Sequence, residues 1–221
     1  MDPRAAWLAR YAREPQPWRG GSDEALDPWL AKLPPGPCLD LGAGGGRTHR
    51  GIVASRGVGP VRVTRENIAR ETRFPFARGE GSAPVVAVDW VRASVADLPA
   101  PVVADVAALP FRDAAFAAAV AVHAFGHLGD ASLARAAAEA SRVLAPGARL
   151  LVVEFAPGDL RAGIGTEAAG GRVREGVFTR YADADVVAAW FPALVPLERA
   201  SVERATPYGA RRRTFALFGK S

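Results

Sequence analysis

This 221-residue chain predicts an α/β fold: three layers, doubly wound, around a seven-stranded, mainly parallel sheet. Three observations predict it. A short apolar run at residues 38–41 breaks into Gly42-Ala43-Gly44-Gly45-Gly46 and then into sequence that can start a helix at Arg47. Strand, glycine turn and helix is how an open α/β sheet presents a ligand site at the carboxyl end of its first strand. A second buried strand, Val85-Val86-Ala87-Val88-Asp89, ends in an acid, and residues 117–122 are nearly all small and apolar, as a strand covered on both faces should be.

Composition sets the bounds. The length suits one domain, residues 1–221, able to bury its own core. A hydrophobic content of 49% argues against disorder. No apolar run approaches the roughly 20 residues of a membrane span. The N-terminus lacks the apolar core of a signal peptide, so the expected location is cytoplasmic. Cys38, the one cysteine, excludes an internal disulfide and a cysteine metal site, and reads as a small core residue. With three histidines, His49, His123 and His127, no metal site is expected. The formal charge of +5 permits attraction to nucleic acid, anionic lipid or an acidic substrate. All its bases except Lys32 and Lys220 are arginine, a bias that genome composition also produces.

In order, Pro3–Arg13 reads as an amphipathic helix carrying Trp7 and Tyr11, followed by a loop through Trp18. Ser22 should cap a second helix over residues 23–33, interrupted at Pro28 and stopped by Pro34-Pro35-Gly36. Residues 1–36 thus form a helical cap. A helix over residues 47–55 follows the glycine turn. Residues 58–84 read as an arginine-rich insertion, with a polar helix at 65–73. The competing second strand is residues 61–64, where Thr64 stands in the acid's place and Glu66 would substitute. Beyond Asp89 come a short helix at 91–97, a third strand at 102–105, the fourth strand, and a helix at 130–144 with a stripe of Leu133, Ala136, Ala137, Ala140 and Val143. After the fifth strand, residues 156–176 read as a glycine-rich loop and residues 181–191 as a helix. An antiparallel hairpin over 194–203 and 214–218 closes the chain, with Arg211-Arg212-Arg213 solvated near its turn.

The glycine spacing separates two phosphate-binding motifs from a third possibility. Gly42-x-Gly44-x-Gly46 is followed by Arg47 where a dinucleotide fingerprint needs its last glycine, and no Lys-Ser/Thr pair follows. With Asp40 two residues before, the stretch resembles motif I of class I (Rossmann-like) S-adenosylmethionine-dependent methyltransferases. Asp105-x-x-x-Leu109-Pro110-Phe111-x-Asp113-x-x-Phe116 is similar to the D-x-x-x-LPF-x-D-x-x-F pattern of that family, although Ala117 replaces the acid that usually follows. His123 to Leu128 resembles its segment ending H-H-L, and Arg142-Val143-Leu144-Ala145-Pro146-Gly147 its helix end and turn. Trp7-x-x-x-Tyr11 with Pro17-Trp18 is similar to the N-terminal segment of small-molecule members of the tellurite and thiopurine types.

The resemblance implies S-adenosyl-L-methionine as cofactor. Asp40 and the loop backbone of Gly42, Ala43, Gly44 and Gly46 would hold its amino-acid end. Asp89 can accept both ribose hydroxyls, with Trp90 lying against ribose or adenine. Asp105 and the Val106 backbone N–H would serve the adenine edge. His123 would touch the cofactor from the strand end at which methyl transfer occurs. His123 and His127 are the candidate general bases, since free imidazole titrates near ~6.5; for His127 a structural role competes. Tyr11, Trp18, His127 and Glu154 are the substrate-side candidates. A small-molecule acceptor (O, N, S or C) is the first expectation and an RNA, perhaps tRNA, the second. A non-catalytic, cofactor-binding regulatory protein is the third. No Asn/Asp-Pro-Pro-Tyr/Phe follows the fourth strand, which disfavours DNA amine methylation, and the single cysteine disfavours pyrimidine C5 chemistry.

Overall fold

A computed structural model of the protein describes residues 3–14, 23–57 and 83–221. Its main sheet has seven strands in the order β3-β2-β1-β4-β5-β10-β9. β1 (Cys38–Leu41), β2 (Val85–Asp89), β3 (Pro101–Val103), β4 (Phe116–Val122) and β5 (Leu144–Phe155) are parallel. β9 (Val195–Thr206) and β10 (Gly209–Gly219) form the antiparallel hairpin, with β10 inserted beside β5. β1 is flanked by β2 on one side and β4 on the other. The chain therefore reverses its winding there, and the carboxyl ends on either side of β1 splay into a crevice.

Burial on both faces explains the strand composition. Leu39, Leu41, Val86, Val88, Ala119, Ala121, Leu150 and Val152 point to one face, where α5 (Asp130–Val143) contributes Leu133, Ala136, Ala137 and Ala140 and α6 (Ala184–Ala189) contributes Val187. The alternate residues Cys38, Val85, Ala118, Val120 and Leu151 meet Trp29 and Leu30 of α2 (Asp27–Leu30) and Ile52 of α3 (Arg47–Arg56). Each fully buried Leu, Ile or Phe contributes about 1.5–3 kcal/mol relative to exposure. No helix among the described residues is long and apolar enough to cross a membrane.

A clamp explains the Leu109-Pro110-Phe111 segment. The Arg142 guanidinium donates to the carbonyl oxygens of Leu109 (3.1 Å) and Phe111 (2.7 Å) and to Asp113 (2.8 Å), while Glu139 accepts from Arg142 and from the Leu109 N–H (2.7 Å). The acid of the LPF motif and the arginine of the helix end are thus two halves of one contact.

Val86 pairs with Leu39 of β1, so Val85–Asp89 is the second strand. The expected helix at 65–73 and most of the insertion lie outside the described residues, as does Ser22. Four segments differ from the sequence expectation. The helix expected over 23–33 is a 3-10 turn, Glu24–Leu26, followed by the single turn of α2, because Pro28 can only stand at a helix start. Helix 91–97 shrinks to α4 (Arg92–Val95). The loop at 156–176 holds part of a second sheet, β6 (Thr166–Ala168), β7 (Gly171–Arg174) and β8 (Val177–Thr179), whose strands are too short to show a period. The hairpin extends until only Pro207 and Tyr208 turn it, so Arg211, Arg212 and Arg213 belong to β10 rather than to a turn.

Candidate active site

A cavity of about 440 Å³ opens at the carboxyl ends of β1, β2 and β4. Its floor is the glycine turn. Gly42 has φ +70°, and a Cβ there would lie 2.7 Å from the Cβ of Ala124. Gly44 has φ +51°, and a Cβ there would meet the Tyr11 hydroxyl at 2.7 Å. The turn passes between the end of β4 and α1 (Pro3–Arg13) with room for backbone only. That leaves its amide groups close to whatever fills the cavity.

Asp89 fixes this floor. One carboxylate oxygen accepts the Gly44 N–H (3.0 Å) and the other the Val91 N–H (2.9 Å). Burial raises its pKa, and the hydrogen bonds to Val91 and Gly44 pull against that shift. Trp90, Ala104 and Val106 line the adjoining wall.

Of the residues expected at the cofactor, the cavity gathers Gly42, Ala43, Gly44, Asp89, Trp90, Val106 and His123. It does not gather three others. Asp40 is buried beneath the turn on the α3 side, 3.7 Å from His49 Nδ1, with its Oδ2 lacking a hydrogen bond. Gly46 begins α3 at φ +77°, where a Cβ would strike Leu98 at 2.2 Å, so its role is packing. Asp105 is exposed and accepts the Ala107 N–H (2.8 Å).

Of the substrate-side candidates, Tyr11 and His127 line the cavity, and Trp7 joins them. Trp18 lies outside the described residues. Glu154 is buried, does not line the cavity, and accepts the Gly126 N–H (3.0 Å), holding the turn after β4. His127 Nδ1 lies 2.6 Å from the Phe178 carbonyl oxygen. A carbonyl only accepts, so Nδ1 carries the proton and ties the turn to β8. Trp7 meets its ring edge-on at 5.0 Å. Burial lowers its pKa to about 4, against the pull of the Phe178 carbonyl.

His123 holds φ +56°, a left-handed conformation that a residue with a side chain adopts at a cost of about 1–3 kcal/mol. The strain seats its ring flat on Phe155, 3.8 Å between centroids and 8° between planes, with Nδ1 4.0 Å from Glu154 Oε2. Burial, and then Arg213 and His127, keep the imidazole uncharged at neutral pH.

Sequence reasoning missed the arginines. Arg161, Arg204, Arg211 and Arg213 all reach the cavity, with Arg47 and Arg50 from α3. Arg213 is bidentate to Asp23, and Arg211 pairs with buried Asp159 (2.9 Å). The signal was present in the period of two: Arg211 and Arg213 face the cavity, whereas Arg212 pairs with Glu203 directly across the hairpin.

A family model described as a methyltransferase domain matches residues 39–152. The chain belongs to that family. It is a class I, S-adenosylmethionine-dependent methyltransferase by family and fold, and S-adenosylmethionine is its cofactor. No curated protein matches the sequence. Among solved structures, the N-methyltransferase NodS of Bradyrhizobium japonicum WM9, in complex with S-adenosyl-L-homocysteine, is similar at 14% identity, covering 99% of each chain with a TM-score of 0.65. The 1,6-didemethyltoxoflavin-N1-methyltransferase of Burkholderia thailandensis is similar at 17% identity, covering 100% of this chain and 91% of that one, with a TM-score of 0.61. A putative methyltransferase of Haloferax volcanii, complexed with the Trm112 activator, is similar at 17% identity over 99% and 96%, with a TM-score of 0.61. At these identities the likeness is one of fold. The methyltransferase's own residues fit the cofactor: a side-chain-free turn at the end of β1, and a buried acid at the end of β2 that organises it.

Proposed function

We propose that this methyltransferase acts on a small-molecule nucleophile seated beside His123. The observation that supports this is a single cleft holding the glycine turn and Asp89 together with His123, His127, Phe155 and Trp7. A volume of about 440 Å³ suits the cofactor with a compact acceptor, not a macromolecule threaded through it. When bound, the cofactor supplies an electrophilic methyl group on a sulfonium. Asp89 would take its ribose, and the turn at Gly42 to Gly44, free of side chains, would seat its amino-acid portion. Tyr11 closes α1 over the turn, and Trp7, Phe155 and Leu128 exclude water from the acceptor end. The uncharged His123 is a hydrogen-bond acceptor for the nucleophile's proton. Positioning carries most of the rate, because the methyl group arrives activated.

An RNA acceptor is favoured by the arginines within residues 58–84, all of which fall outside the described residues. The experiment is methyl transfer from labelled S-adenosylmethionine into a cell extract separated into RNA, protein and metabolite fractions. Label in metabolites is the expected result. Label in RNA alone overturns the small-molecule acceptor, and label in no fraction favours the non-catalytic, regulatory reading.

A further inference from the structure

Next to the acceptor end lies a second cavity, of about 140 Å³, which shares Trp7, His127, Phe155 and Arg161 with the first. α1 and the small β6–β8 sheet enclose it. Its walls carry Arg10, Arg161, Arg172 and Arg174, and among the described residues its only carboxylate is Glu175. That one carboxylate is shared three ways, with Arg10 (3.8 Å), Arg13 (3.1 Å) and Arg174 (3.7 Å). Arg172 is held in place by donating from Nε to the Ile164 carbonyl (3.2 Å) and from Nη2 to the Gly165 carbonyl (2.7 Å), which uses two of the five N–H donors of its guanidinium. At the boundary of the two cavities, the guanidinium carbons of Arg161 and Arg211 both lie over the Phe155 ring, at 5.3 and 5.5 Å from its centroid. Asp159 is the acid beside them, pairing with Arg211.

Cations gathered in a partly buried chamber repel one another, and proteins retain such an arrangement where an anion completes it. Desolvation, and next the charge of Arg211, already depress the pKa of Arg161. The aromatic faces of Trp7 and Phe155 suit a planar body, while guanidinium forks suit a planar or tetrahedral oxyanion. His123, stacked on Phe155, stands at the same junction.

We infer that the methyl acceptor is a small aromatic acid, its oxyanion group, carboxylate or phosphate, seated in the side chamber against Arg161 and Arg172 while its nucleophile faces His123. This rests on the methyltransferase reading and names the substrate class of the same site.

The test uses the full chain saturated with S-adenosylhomocysteine. Calorimetry is run with benzoate, phenyl phosphate, benzamide and benzylamine as probes at millimolar concentration. Benzoate or phenyl phosphate should bind, more weakly as salt rises, and benzamide and benzylamine should not. A preference between the first two distinguishes carboxylate from phosphate. Arg161→Gln and Arg172→Gln should each weaken the anion by about tenfold or more. Arg161→Lys should recover part of the loss, and Arg199→Gln, an exposed charge loss elsewhere, should change nothing. Thermal melting confirms that the variants fold. Equal binding of benzylamine and benzoate, no binding of either anion, or unchanged affinity in both glutamine variants overturns the inference. Failure of the wild-type chain to bind S-adenosylhomocysteine overturns the methyltransferase reading instead, and is read in a separate titration.

Discussion

At the scale of single residues, Asp89 has two tasks. It faces the cavity, and it also joins the glycine turn to the chain leaving β2 through two backbone amides. Asp89→Ala removes both bonds and frees the turn, so S-adenosylmethionine affinity should fall by about tenfold or more in calorimetry. Asp40 makes a different prediction. Burial, then the Asp89 charge, push its pKa up to about 8, and burial pushes Glu154 to about 8 as well. A carboxyl that keeps its proton in the fold, after the unfolded chain has lost it near 3.8 for Asp40 and near 4.5 for Glu154, stabilises the fold less as pH climbs toward 8. His49 and His127, pushed down to about 4 by burial, act the other way, and their stabilisation is lost as pH falls from 6.5 toward 4. The two effects oppose one another below 6.5, and only the carboxyls act above it. Melting temperature should therefore decline between about pH 6.5 and about pH 8, and Asp40→Asn should make the decline shallower. An equal decline in the variant would remove Asp40 as a source.

Among elements, the clamp binds α5 to the segment between β3 and β4 at four points, three from Arg142 and one from Glu139. Arg142→Ala leaves the carbonyls of Leu109 and Phe111 without these donors. It should cost about 1–3 kcal/mol in chemical denaturation, discounted because the side chain is partly solvated. Arg142→Lys should recover little, since a single ammonium cannot reproduce the fork. The elements that sequence made legible are those whose chemistry is local. The glycine turn, the acid after Val85–Val88 and the Leu109 to Phe116 segment each need particular residues at short, fixed spacing. The β6–β8 sheet was not legible, because Gly165, Gly170, Gly171 and Gly176 read as loop while its strands are three or four residues long. The place of Asp40 was hidden by a contact with His49 on the far side of the turn. The arginine seat was hidden because Arg161 and Arg211 come together through Asp159, about fifty residues from Arg211 in sequence.

For the whole molecule, α1 connects the two ends of the cavity. Tyr11 sits over Gly44, Trp7 against His127, and Arg10 and Arg13 reach Glu175 beside the small sheet. Tyr11 is buried although neither main core includes α1, so Trp7→Ala with Tyr11→Ala should lower the melting temperature by several degrees without unfolding the sheet. The same pair should raise the S-adenosylhomocysteine off-rate in stopped flow. An unchanged off-rate would mean that α1 does not retain the cofactor.

The place of β10 in the sheet has a consequence for how the protein is made. This strand follows every other in the chain, yet it is wedged between β5 and β9 rather than added at an edge. The nucleotide-facing half, β1 to β4 with the glycine turn, can pair before β10 arrives. The half that carries Arg211 and Arg213 cannot. Strand pairing around the glycine turn is therefore expected to precede pairing of the strand that carries Arg211 and Arg213. Pulse-labelled hydrogen exchange should find the amides of β1 and β4 protected earlier than those of Arg213 to Phe218.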